Sequence, residues 1–441
     1  MLEDFPGPLG SLGPDLRRRR IAVALGADGC PVLVRPDSVI VDVGDGGDVD
    51  SVIRSAERQG FELLSNRGDG ALPTRLVGVR QGHAQRPAAR PERWRLDVAR
   101  RMLDQLGERW GDVAFHRVYL TDGVARHFGR LSDTGSSGTP GRSAPPTTTT
   151  SAAQPAPPPA ALRPRLALPG RERPHVLVLD TGLATSHRRA AHPELREQCL
   201  IPRGWRDSRT PGRWDDEDEP DDDGGGVLDD QAGHGTFVSG IVRQACPDAV
   251  IHHRGVLTSY GDGDDVSIDC AVALALAQRR YDLVVAAFGG YADDDGSVPM
   301  AGAIRRLQAT GALVVSSAGN DATSRPSYPA ALPGVLAVGG LDEDGRALFS
   351  NFGAWVDCCA PATDLVSTFF TSFDETGAAG RFPRSFRGWA RWSGSSFAAP
   401  YVAGVIAQEM YRYGGTAHDA WARLRARSTT RVPDLGLVIT G

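Results

Sequence analysis

Short apolar runs alternate with helical patterns through the second half of the chain, and this alternation restricts the fold more than any other feature. Val176–Leu179, Leu283–Ala287 and Ala312–Ser316 have the length and composition of strands that are covered on both faces. Val266–Arg279 and Ala301–Thr310 have the apolar spacing of helices. Strands that alternate with helices predict an α/β fold with a doubly wound, mostly parallel sheet. Ligands of such folds bind at the carboxyl ends of the strands.

Three reactive side chains stand at turns that border these elements. Asp180 ends the apolar run that starts at Pro174, and His234 begins a helical pattern of small residues. Ser396 lies in Arg391–Ile406, where a glycine turn leads into a buried helix. Unpaired N–H groups and the positive end of the helix dipole would favour a developing oxyanion there. Asp180 and Ser396 alone also have structural interpretations, as a turn-initiating aspartate and as a serine that caps a buried helix.

Together the three segments resemble the subtilisin-like serine proteases, the subtilase family. The residues occur in the chain order Asp, His, Ser that subtilisin shows. Asp180 stands in Val-Leu-Asp-Thr-Gly, His234 in Gly-His-Gly-Thr, and Ser396 in Gly-Ser-Ser-Phe-Ala-Ala-Pro. His192-Pro193-Glu194-Leu195 is similar to the His-Pro-Asp-Leu that often follows the aspartate in the family. The resemblance covers roughly Pro174 to Tyr413, a little over half of the chain.

Further segments match the family in the same order. They correspond to the loop with the oxyanion asparagine, one wall of the specificity pocket, the Tyr-Pro turn near the pocket base and two later motifs: Ser317–Asn320, Ala286–Gly290, Ser327–Ala330, Phe349–Gly353 and Ala360-Pro361. Three positions depart from the usual residue. Ala287 replaces a serine, Ser395 replaces the threonine before the nucleophile, and Phe237 replaces a frequent histidine. None of these positions carries a catalytic role.

The resemblance implies a serine endopeptidase that cleaves proteins or peptides through an acyl-enzyme intermediate. Ser396 would be the nucleophile, His234 its general base and Asp180 the group that orients the imidazole. The Asn320 side chain and the Ser396 N–H would bind the oxyanion. The implied substrate-binding residues are Ala287, Phe288, Gly289, Ser317, Ala318, Gly319 and Ser327. None of them is charged, which predicts preference for apolar or aromatic side chains before the cut. The alternative is a protease-like binding or scaffold protein without turnover.

The chain divides into three regions. Residues 1–130 predict a small α/β domain with strands at Ile21–Gly26, Pro31–Val34, Ser38–Val43, Thr74–Arg80 and Asp112–Leu120, and helices at Val49–Gln59 and Pro91–Trp110. Residues 131–165 are rich in proline, threonine and serine and predict a linker. Residues 166–441 form the predicted catalytic domain. Family members often carry an N-terminal domain that chaperones and inhibits the protease. That role and a recognition or regulatory role both remain open, so this domain is a candidate partner of the catalytic domain.

An acidic window, Asp215–Asp230, lengthens the connection between Asp180 and His234 to 54 residues. A solvated surface loop is the favoured interpretation. The alternatives are a structural calcium site, because hard cations take clustered carboxylates, and an acidic rim that attracts basic substrates. The resemblance implies that the chemistry itself needs no cofactor.

Composition excludes several other functions. A formal net charge of −5 on 441 residues does not predict a nucleic-acid partner. The chain has no lysine, so a P-loop is excluded, and it has no His-Glu-x-x-His zinc motif. No apolar run reaches the roughly 18 residues of a membrane span. Arg17–Arg20 and the short apolar run after them predict a strand more than a signal peptide, which favours the cytoplasm over secretion. The six cysteines lack metal-ligand spacing and predict mostly buried thiols.

Overall fold

A computed structural model describes residues 21–25, 31–42, 51, 54, 57–58, 61–63, 76–81, 113–121, 152–186, 189–197, 199–200, 217–222, 224–292, 297–376 and 383–440. The chain forms two compact units. One combines residues 1–119 with 263–279 and 290–305, and the other contains 120–262, 280–289 and 306–441.

The described elements follow one another along the chain as strands and helices. The strands are β1 (Ala22–Leu25), β2 (Pro31–Asp42), β3 (Phe61–Leu63), β4 (Leu76–Gln81), β5 (Val113–Thr121), β6 (Gln154–Pro155), β7 (His175–Asp180), β8 (Thr185–Ser186), β9 (Arg189–Ala190), β10 (Cys199–Leu200), β11 (Val250–Gly255), β12 (Asp262–Asp264), β13 (Leu283–Ala286), β14 (Phe288–Gly289), β15 (Leu313–Ser317), β16 (Val335–Asp342), β17 (Gly345–Arg346), β18 (Cys358–Pro361), β19 (Leu365–Thr368), β20 (Phe373–Asp374), β21 (Ser385–Phe386), β22 (Trp389–Trp392), β23 (Arg431–Val432) and β24 (Gly436–Val438). The helices are α1 (Pro193–Arg196), α2 (His234–Ala245), α3 (Asp265–Gln278), α4 (Val298–Ala309), α5 (Ser395–Tyr413) and α6 (Ala417–Arg427).

A mostly parallel sheet forms the centre of the second unit. Its strand order is β10-β11-β7-β13-β15-β16-β18-β24-β23, and every pair from β10 to β24 is parallel. The two antiparallel pairs are β23 with β24 and β17 with β16. The side chains of β13 and β15 are buried throughout, as expected of strands covered on both faces. The predicted α/β fold with a doubly wound, mostly parallel sheet is confirmed.

Helices α2 and α5 pack closely against each other, and α5 also packs on β15 and β16. Small residues make this packing feasible. A Cβ on Gly404 of α5 would lie 2.5 Å from the Cβ of Ala245 in α2. A Cβ on Gly235 of α2 would lie 2.5 Å from the carbonyl oxygen of Thr181, directly after β7. The small residues in both helices therefore allow close approaches.

The first unit contains an antiparallel sheet from the N-terminal region. Strand β2 pairs with β1, β4 and β5, and β3 pairs with β4. The predicted strands at Ile21–Gly26, Thr74–Arg80 and Asp112–Leu120 correspond to β1, β4 and β5. Residues 51, 54, 57 and 58 are helical, within the predicted helix Val49–Gln59. The predicted helix Pro91–Trp110 lies outside the described residues.

This sheet differs from the prediction in two ways: β2 is one long strand, and β3 is an additional strand. The separate strands predicted at Pro31–Val34 and Ser38–Val43 are one strand, Pro31–Asp42. Its pairing with β5 shifts register between Val34 and Val39, so a β-bulge absorbs the residues that were predicted to break the strand. Strand β3 was not predicted, since a run of three residues shows no reliable alternation.

The second half of the predicted linker is attached to the second unit. Gln154 and Pro155 pair antiparallel with Arg391 and Ala390 of β22, which forms a small sheet in the order β19-β22-β6. Ala153 is buried, and its carbonyl accepts a hydrogen bond of 2.7 Å from Arg384. A proline-rich segment is able to join a sheet in this way at its edge, where a missing N–H costs nothing. Residues 131–151 lie outside the described part of the chain.

Within the described ranges, no helix has both the length and the apolar character to cross a membrane. The five cysteines that the structure describes form no disulfide and are all buried: Cys199, Cys246, Cys270, Cys358 and Cys359. The prediction of buried thiols is confirmed for these five, while Cys30 lies outside the described residues.

Candidate active site

Asp180 and His234 meet at the carboxyl end of β7. Asp180 is the last residue of that strand, His234 is the first residue of α2, and both side chains are buried. His234 Nδ1 lies 2.6 Å from Asp180 Oδ1, and the Thr181 N–H donates to the same oxygen at 2.8 Å. Because a carboxylate only accepts hydrogen bonds, Nδ1 carries the proton and Nε2 is the free base of the neutral ring. Asp180 Oδ2 is buried without a hydrogen-bond partner among the described residues.

A second buried carboxyl, Asp218, supports the same site. Its Oδ2 accepts hydrogen bonds from the Gly233 N–H at 2.7 Å and from Thr181 Oγ1 at 2.9 Å. Thr181 Oγ1 in turn accepts from the Gly235 N–H at 2.9 Å. The backbone on both sides of His234 is therefore tied to Asp218, directly or through Thr181.

The surroundings of Asp218 disfavour its ionised form. Burial raises the pKa of this carboxyl well above its usual range, and the nearby charges of Asp180 and Asp229 raise it further, against the two donors named above. Asp218 was not predicted as a site residue, because it lies within the acidic window and carries no motif of its own.

Ser396 stands at the start of α5, one residue before a ring that packs against His234. It is the second residue of the helix and is 1% exposed. The ring of Phe397, the following residue, packs 5.2 Å from the His234 ring, and the Trp392 ring meets the histidine edge-on at 5.4 Å. Gly394, and not a serine, occupies the N-cap position. The interpretation of Ser396 as a helix cap is therefore wrong.

Asn320 and Ser395 join the loop after β15 to the start of α5. Asn320 Oδ1 accepts a hydrogen bond of 2.9 Å from the Ser395 N–H, which directs the amide nitrogen away from that bond. Ser395 Oγ accepts from the Gly319 N–H at 3.1 Å. The structure thus brings Asn320 to the helix terminus that carries Ser396. The hydroxyl of Ser395, the neighbouring serine, has a structural partner.

Asn351 holds the loop that carries Asn320. Asn351 Nδ2 donates to the Ala318 carbonyl at 2.9 Å, and its Oδ1 accepts from the N–H groups of Asp321 and Thr323. A Cβ on Gly319 would lie 2.3 Å from Asn351 Nδ2, and Gly319 has a φ of +108°, so glycine is needed there. The sequence places Asn351 in a motif that matches the family but predicts no role for it. Its role in holding the loop follows from these hydrogen bonds.

The predicted pocket residues lie at the carboxyl ends of two neighbouring strands. Ala287 connects β13 to β14, and Ser317 is the last residue of β15, which pairs with β13. Of the remaining members, Gly289 is half-buried, whereas the others are buried: Phe288, Ala318, Gly319 and Ser327. Ser317 Oγ is buried and has no hydrogen-bond partner within the described part of the chain. None of these residues has a charged side chain.

A comparison with protein families shows which family the chain belongs to. The model of the subtilase family matches residues 172–436. The chain belongs to the subtilase family. This confirms the resemblance that the sequence motifs indicated.

Individual subtilases are similar over about half of the chain. The thermostable alkaline protease of Halalkalibacterium halodurans is 29% identical over 248 residues, which are 54% of this chain and 57% of that protein. The intracellular serine protease of Paenibacillus polymyxa is 30% identical over 53% of this chain and 65% of its own length. Thermitase of Thermoactinomyces vulgaris is 27% identical over 52% and 72%. The chain thus spans 57% and 65% of the first two relatives.

In the acidic window of this subtilase, two described carboxylates accept hydrogen bonds from nearby backbone N–H groups and from a serine hydroxyl. Asp221 accepts from the N–H groups of Gly225 and Gly226, and Asp229 accepts from the Asp222 N–H and from Ser259 Oγ. In the ranges that the structure describes, no group of three or more His, Cys, Asp or Glu side chains is arranged to hold a metal ion. The calcium interpretation therefore has no support from these residues. Asp215 and Asp216 lie outside the described ranges.

The window is anchored on the side of the hairpin β20–β21. The Leu228 N–H donates to Glu375 Oε1 at 3.1 Å, and the Thr376 N–H donates to the Gly226 carbonyl at 2.9 Å. Glu375 also forms a buried ion pair with Arg384 at 2.5 Å. The glutamate therefore has partners from both the window and the hairpin, which hold this part of the loop in place.

A segment of the chain itself pairs with β14, the strand that contains two of the predicted pocket residues. Leu120 and Thr121 pair antiparallel with Gly289 and Phe288 of β14. All four residues belong to the second unit. Backbone pairing of an extended segment with an exposed strand edge is a common way to bind a peptide.

Proposed function

We propose that the protein is a serine endopeptidase that hydrolyses peptide bonds through Asp180, His234 and Ser396. The observation that carries this proposal is the buried hydrogen bond of 2.6 Å between His234 Nδ1 and Asp180 Oδ1. It leaves Nε2 as the basic nitrogen of a ring that packs against Phe397, the residue after the serine. A serine hydroxyl is a poor nucleophile and needs such a base within reach.

Each residue has one role in the reaction. Ser396 Oγ attacks the scissile carbonyl carbon and passes its proton to His234 Nε2, which later gives it to the leaving amine. Asp180 keeps the imidazole in the required tautomer and stabilises the imidazolium. Water then attacks the acyl-enzyme with His234 as base, and the carboxylic acid leaves. The Ser396 N–H and the Asn320 amide nitrogen donate to the oxyanion, which supports placing Asn320 among the catalytic groups.

The proposed specificity is for uncharged, mainly apolar or aromatic side chains before the cut. The residues that would line the pocket, Ala287–Gly289, Ser317–Gly319 and Ser327, carry no charge. Recognition of arginine or lysine usually requires a buried opposite charge, as in trypsin. A peptide-library cleavage profile tests this proposal. Strong selection for arginine would contradict it. That result would indicate that the acidic window supplies a negative charge to the substrate cleft.

The N-terminal region is proposed to act on the catalytic domain. Pairing of Leu120 and Thr121 with β14 supports an occupant of the substrate-binding strand. The Arg35 guanidinium also contacts Asp264, the N-cap of α3, at 3.1 Å. Both contacts are compatible with an inhibitory or chaperoning role and with a regulatory role. They favour these roles over that of a recognition domain on a free tether. A cytoplasmic location is also proposed, because the five described cysteines are thiols and not disulfides, as is typical of reducing compartments.

The central experiment is the replacement of the nucleophile. Ser396→Ala should remove peptidase activity and leave the fold intact, with a loss near the 10⁶-fold in kcat that is measured for subtilisin. Ser395→Ala is the matched control and should be far milder, since Ser395 Oγ accepts a hydrogen bond from the backbone N–H of Gly319 and has no step in the proposed reaction. Activity within about tenfold of wild type in Ser396→Ala would reject the assignment.

A fluorophosphonate probe separates an enzyme from a scaffold that keeps only the fold. An activated serine reacts with such a probe, whereas an ordinary hydroxyl does not. Wild-type protein should be labelled at Ser396, and Ser396→Ala protein should remain unlabelled. Absence of labelling in folded wild-type protein, with its N-terminal region removed by limited proteolysis, would favour the scaffold.

A further inference from the structure

His253 is a buried histidine next to the turn that follows Asp180, and the proposed reaction gives it no step. It lies in β11, which pairs parallel with β7, and its side chain is 0% exposed. Its Nε2 lies 2.6 Å from the carbonyl oxygen of Thr181, the residue after Asp180. Because a carbonyl oxygen only accepts hydrogen bonds, Nε2 carries a proton and is the donor. The imidazole is therefore joined to the turn that carries Asp180.

Helix α2 contacts the other side of the same ring. Ser239 Oγ lies 3.2 Å from His253 Nδ1, and in the neutral ring this nitrogen accepts a hydrogen bond from the hydroxyl. Gly235 stands four residues before Ser239, so the two lie on the same face of α2. A Cβ on Gly235 would lie 2.7 Å from His253 Cε1. The helix that begins at His234 thus provides both the space and a hydrogen-bond partner for the imidazole.

Thr181 connects this ring to the catalytic pair, because three of its polar groups are held. Its N–H donates to Asp180 Oδ1 at 2.8 Å, the same oxygen that lies 2.6 Å from His234 Nδ1. Its Oγ1 accepts from the Gly235 N–H at 2.9 Å. Its carbonyl accepts from His253. Since these groups belong to one residue, a shift of the carbonyl also displaces the N–H and the hydroxyl.

We propose that His253 is a positioning residue for the proposed reaction. By holding the Thr181 carbonyl, it fixes Asp180 and the start of α2 in the geometry in which Asp180 orients His234. The proposal rests on the proposed endopeptidase function. His253 acts through Thr181 and is not one of the predicted pocket residues, so its loss should lower kcat with little change in KM.

Two amides of different length separate the two nitrogens of His253. The glutamine amide nitrogen extends about as far from the backbone as Nε2, whereas the shorter asparagine amide extends only as far as Nδ1. His253→Gln keeps a donor for Thr181, and its kcat should stay within about threefold of wild type. His253→Asn loses this donor, and its kcat should fall by about 10- to 100-fold, as expected for a displaced catalytic group.

The two variants both lack the imidazole, so their difference reports the hydrogen bond to Thr181. A fluorophosphonate probe counts the active sites in each sample, so that unfolded protein does not lower the measured kcat. A kcat of His253→Asn equal to that of wild type would overturn the proposal. Equal losses in His253→Gln and His253→Asn would assign the effect to the packing of the ring, and would also overturn it.

His252, the preceding residue of β11, provides the matched control. Successive side chains of a strand point to opposite faces of the sheet. His252 is 5% exposed, its Nε2 lies 2.9 Å from His175 Nδ1, and its ring meets the Tyr281 ring at 5.2 Å. His252→Asn removes a buried imidazole from the same strand and should keep kcat within about threefold of wild type. A loss as large as that of His253→Asn would attribute both effects to general loosening of β11, and would overturn the role of His253.

A measurement on protein with the native His253 tests the proposal even if His253→Asn does not fold. In Ser396→Ala protein that contains isotope-labelled histidine, nitrogen chemical shifts report which nitrogen of each ring carries a proton. His253 should carry its proton on Nε2, and this proton should exchange slowly with solvent because the bond is buried. A proton on Nδ1 alone would exclude the hydrogen bond to Thr181 and overturn the proposal.

The same spectra distinguish failure of this proposal from failure of the endopeptidase function. In the Ser396→Ala background, the low-field proton resonance of the Asp180–His234 hydrogen bond should persist in His253→Gln and should shift or disappear in His253→Asn. An unchanged resonance in both variants would overturn the positioning role and leave the endopeptidase function standing. If the resonance changes as expected but wild-type protein cleaves no peptide, the positioning role stands and the endopeptidase function is rejected.

Discussion

Replacement of Asp218 by alanine should weaken both the fold and the catalytic step. One oxygen of this carboxyl accepts the Gly233 N–H at 2.7 Å and Thr181 Oγ1 at 2.9 Å. Alanine leaves both donors without this acceptor in a buried place, since Asp218 is only 8% exposed. Gly233 directly precedes His234, so the loss reaches the general base.

The expected magnitude follows from the two lost hydrogen bonds. A buried donor that loses its partner costs about 1–3 kcal/mol, so two of them lower the free energy of unfolding by about 2–6 kcal/mol. A displacement of a catalytic group by about 1 Å can cost a factor of about 10² in rate. We therefore expect kcat of Asp218→Ala to fall by about 10- to 100-fold, with a smaller change in KM. Asp218 is a positioning residue in this account, because it acts through His234.

Asp218→Asn is the matched control, and its stability should depend on pH. An amide oxygen can accept both hydrogen bonds, so kcat should stay within about threefold of wild type. Burial, followed by the charges of Asp180 and Asp229, raises the pKa of the Asp218 carboxyl well above its usual value of 3.8. The folded protein therefore holds this proton more tightly than the unfolded chain does. Its contribution to stability is complete below pH 3.8 and is lost as pH rises through the folded pKa. Asparagine does not titrate, so its advantage over wild type should grow as pH rises above 3.8 and through the folded pKa of Asp218.

Denaturant unfolding measures these differences, with Ser396→Ala as the common background so that self-digestion cannot interfere. Peptide hydrolysis by the same Asp218 substitutions in the active protein measures kcat and KM. An unfolding free energy for Asp218→Ala within about 0.5 kcal/mol of its parent would refute the reasoning, since that is the range of ordinary surface substitutions. Equal losses in Asp218→Asn and Asp218→Ala would show that charge, and not hydrogen bonding, is what matters.

Three further predictions concern the oxyanion site, helix packing and the thiols. Asn320→Ala should lower kcat by about 10²- to 10³-fold with KM nearly unchanged, and a raised KM with constant kcat would make Asn320 a binding residue only. Gly404→Ala should lower the unfolding free energy by about 1–3 kcal/mol, because the new Cβ would lie 2.5 Å from the Cβ of Ala245. Its control is Gly302→Ala in α4, which has nothing within 4 Å and should be neutral or stabilising. In a Cys30→Ser variant, a thiol reagent at pH 8 should react with no thiol until the protein is denatured, because burial raises the pKa of four of the five remaining thiols and shields them all. Rapid labelling of the native variant would contradict this.

The sequence by itself predicted the elements that depend on neighbouring residues. The apolar runs around Val176–Leu179 and Ala312–Ser316 became β7 and β15, and the small-residue pattern after His234 became α2. The chain order and flanks of Asp180, His234 and Ser396 also indicated the subtilase family, which the family comparison confirmed. These signals are local. The periodicity of a strand or helix, and the residues of a tight turn, can be recognised within a short stretch of consecutive residues.

Predictions from local sequence were wrong where pairing with a distant strand outweighs the conformational preference of the segment itself. Pro36 and Asp37 predicted a break, but β2 continues through them because its pairing with β5 tolerates a bulge. The proline-rich segment at Gln154 and Pro155 predicted a free linker, but it joins the edge of β22. In both cases hydrogen bonds to a distant strand stabilise a conformation that the local sequence does not favour.

Only the tertiary structure revealed the role of Asp218 and the hydrogen-bond partner of Tyr119. Asp218 bonds to Thr181, 37 residues away along the chain, and Tyr119 bonds to Asp265, 146 residues away. An aspartate in an acidic window and a tyrosine at the end of a strand look alike whether they are solvated or buried against a partner. What distinguishes them is which donors and acceptors the packed chain brings within about 3 Å, and that depends on the whole fold.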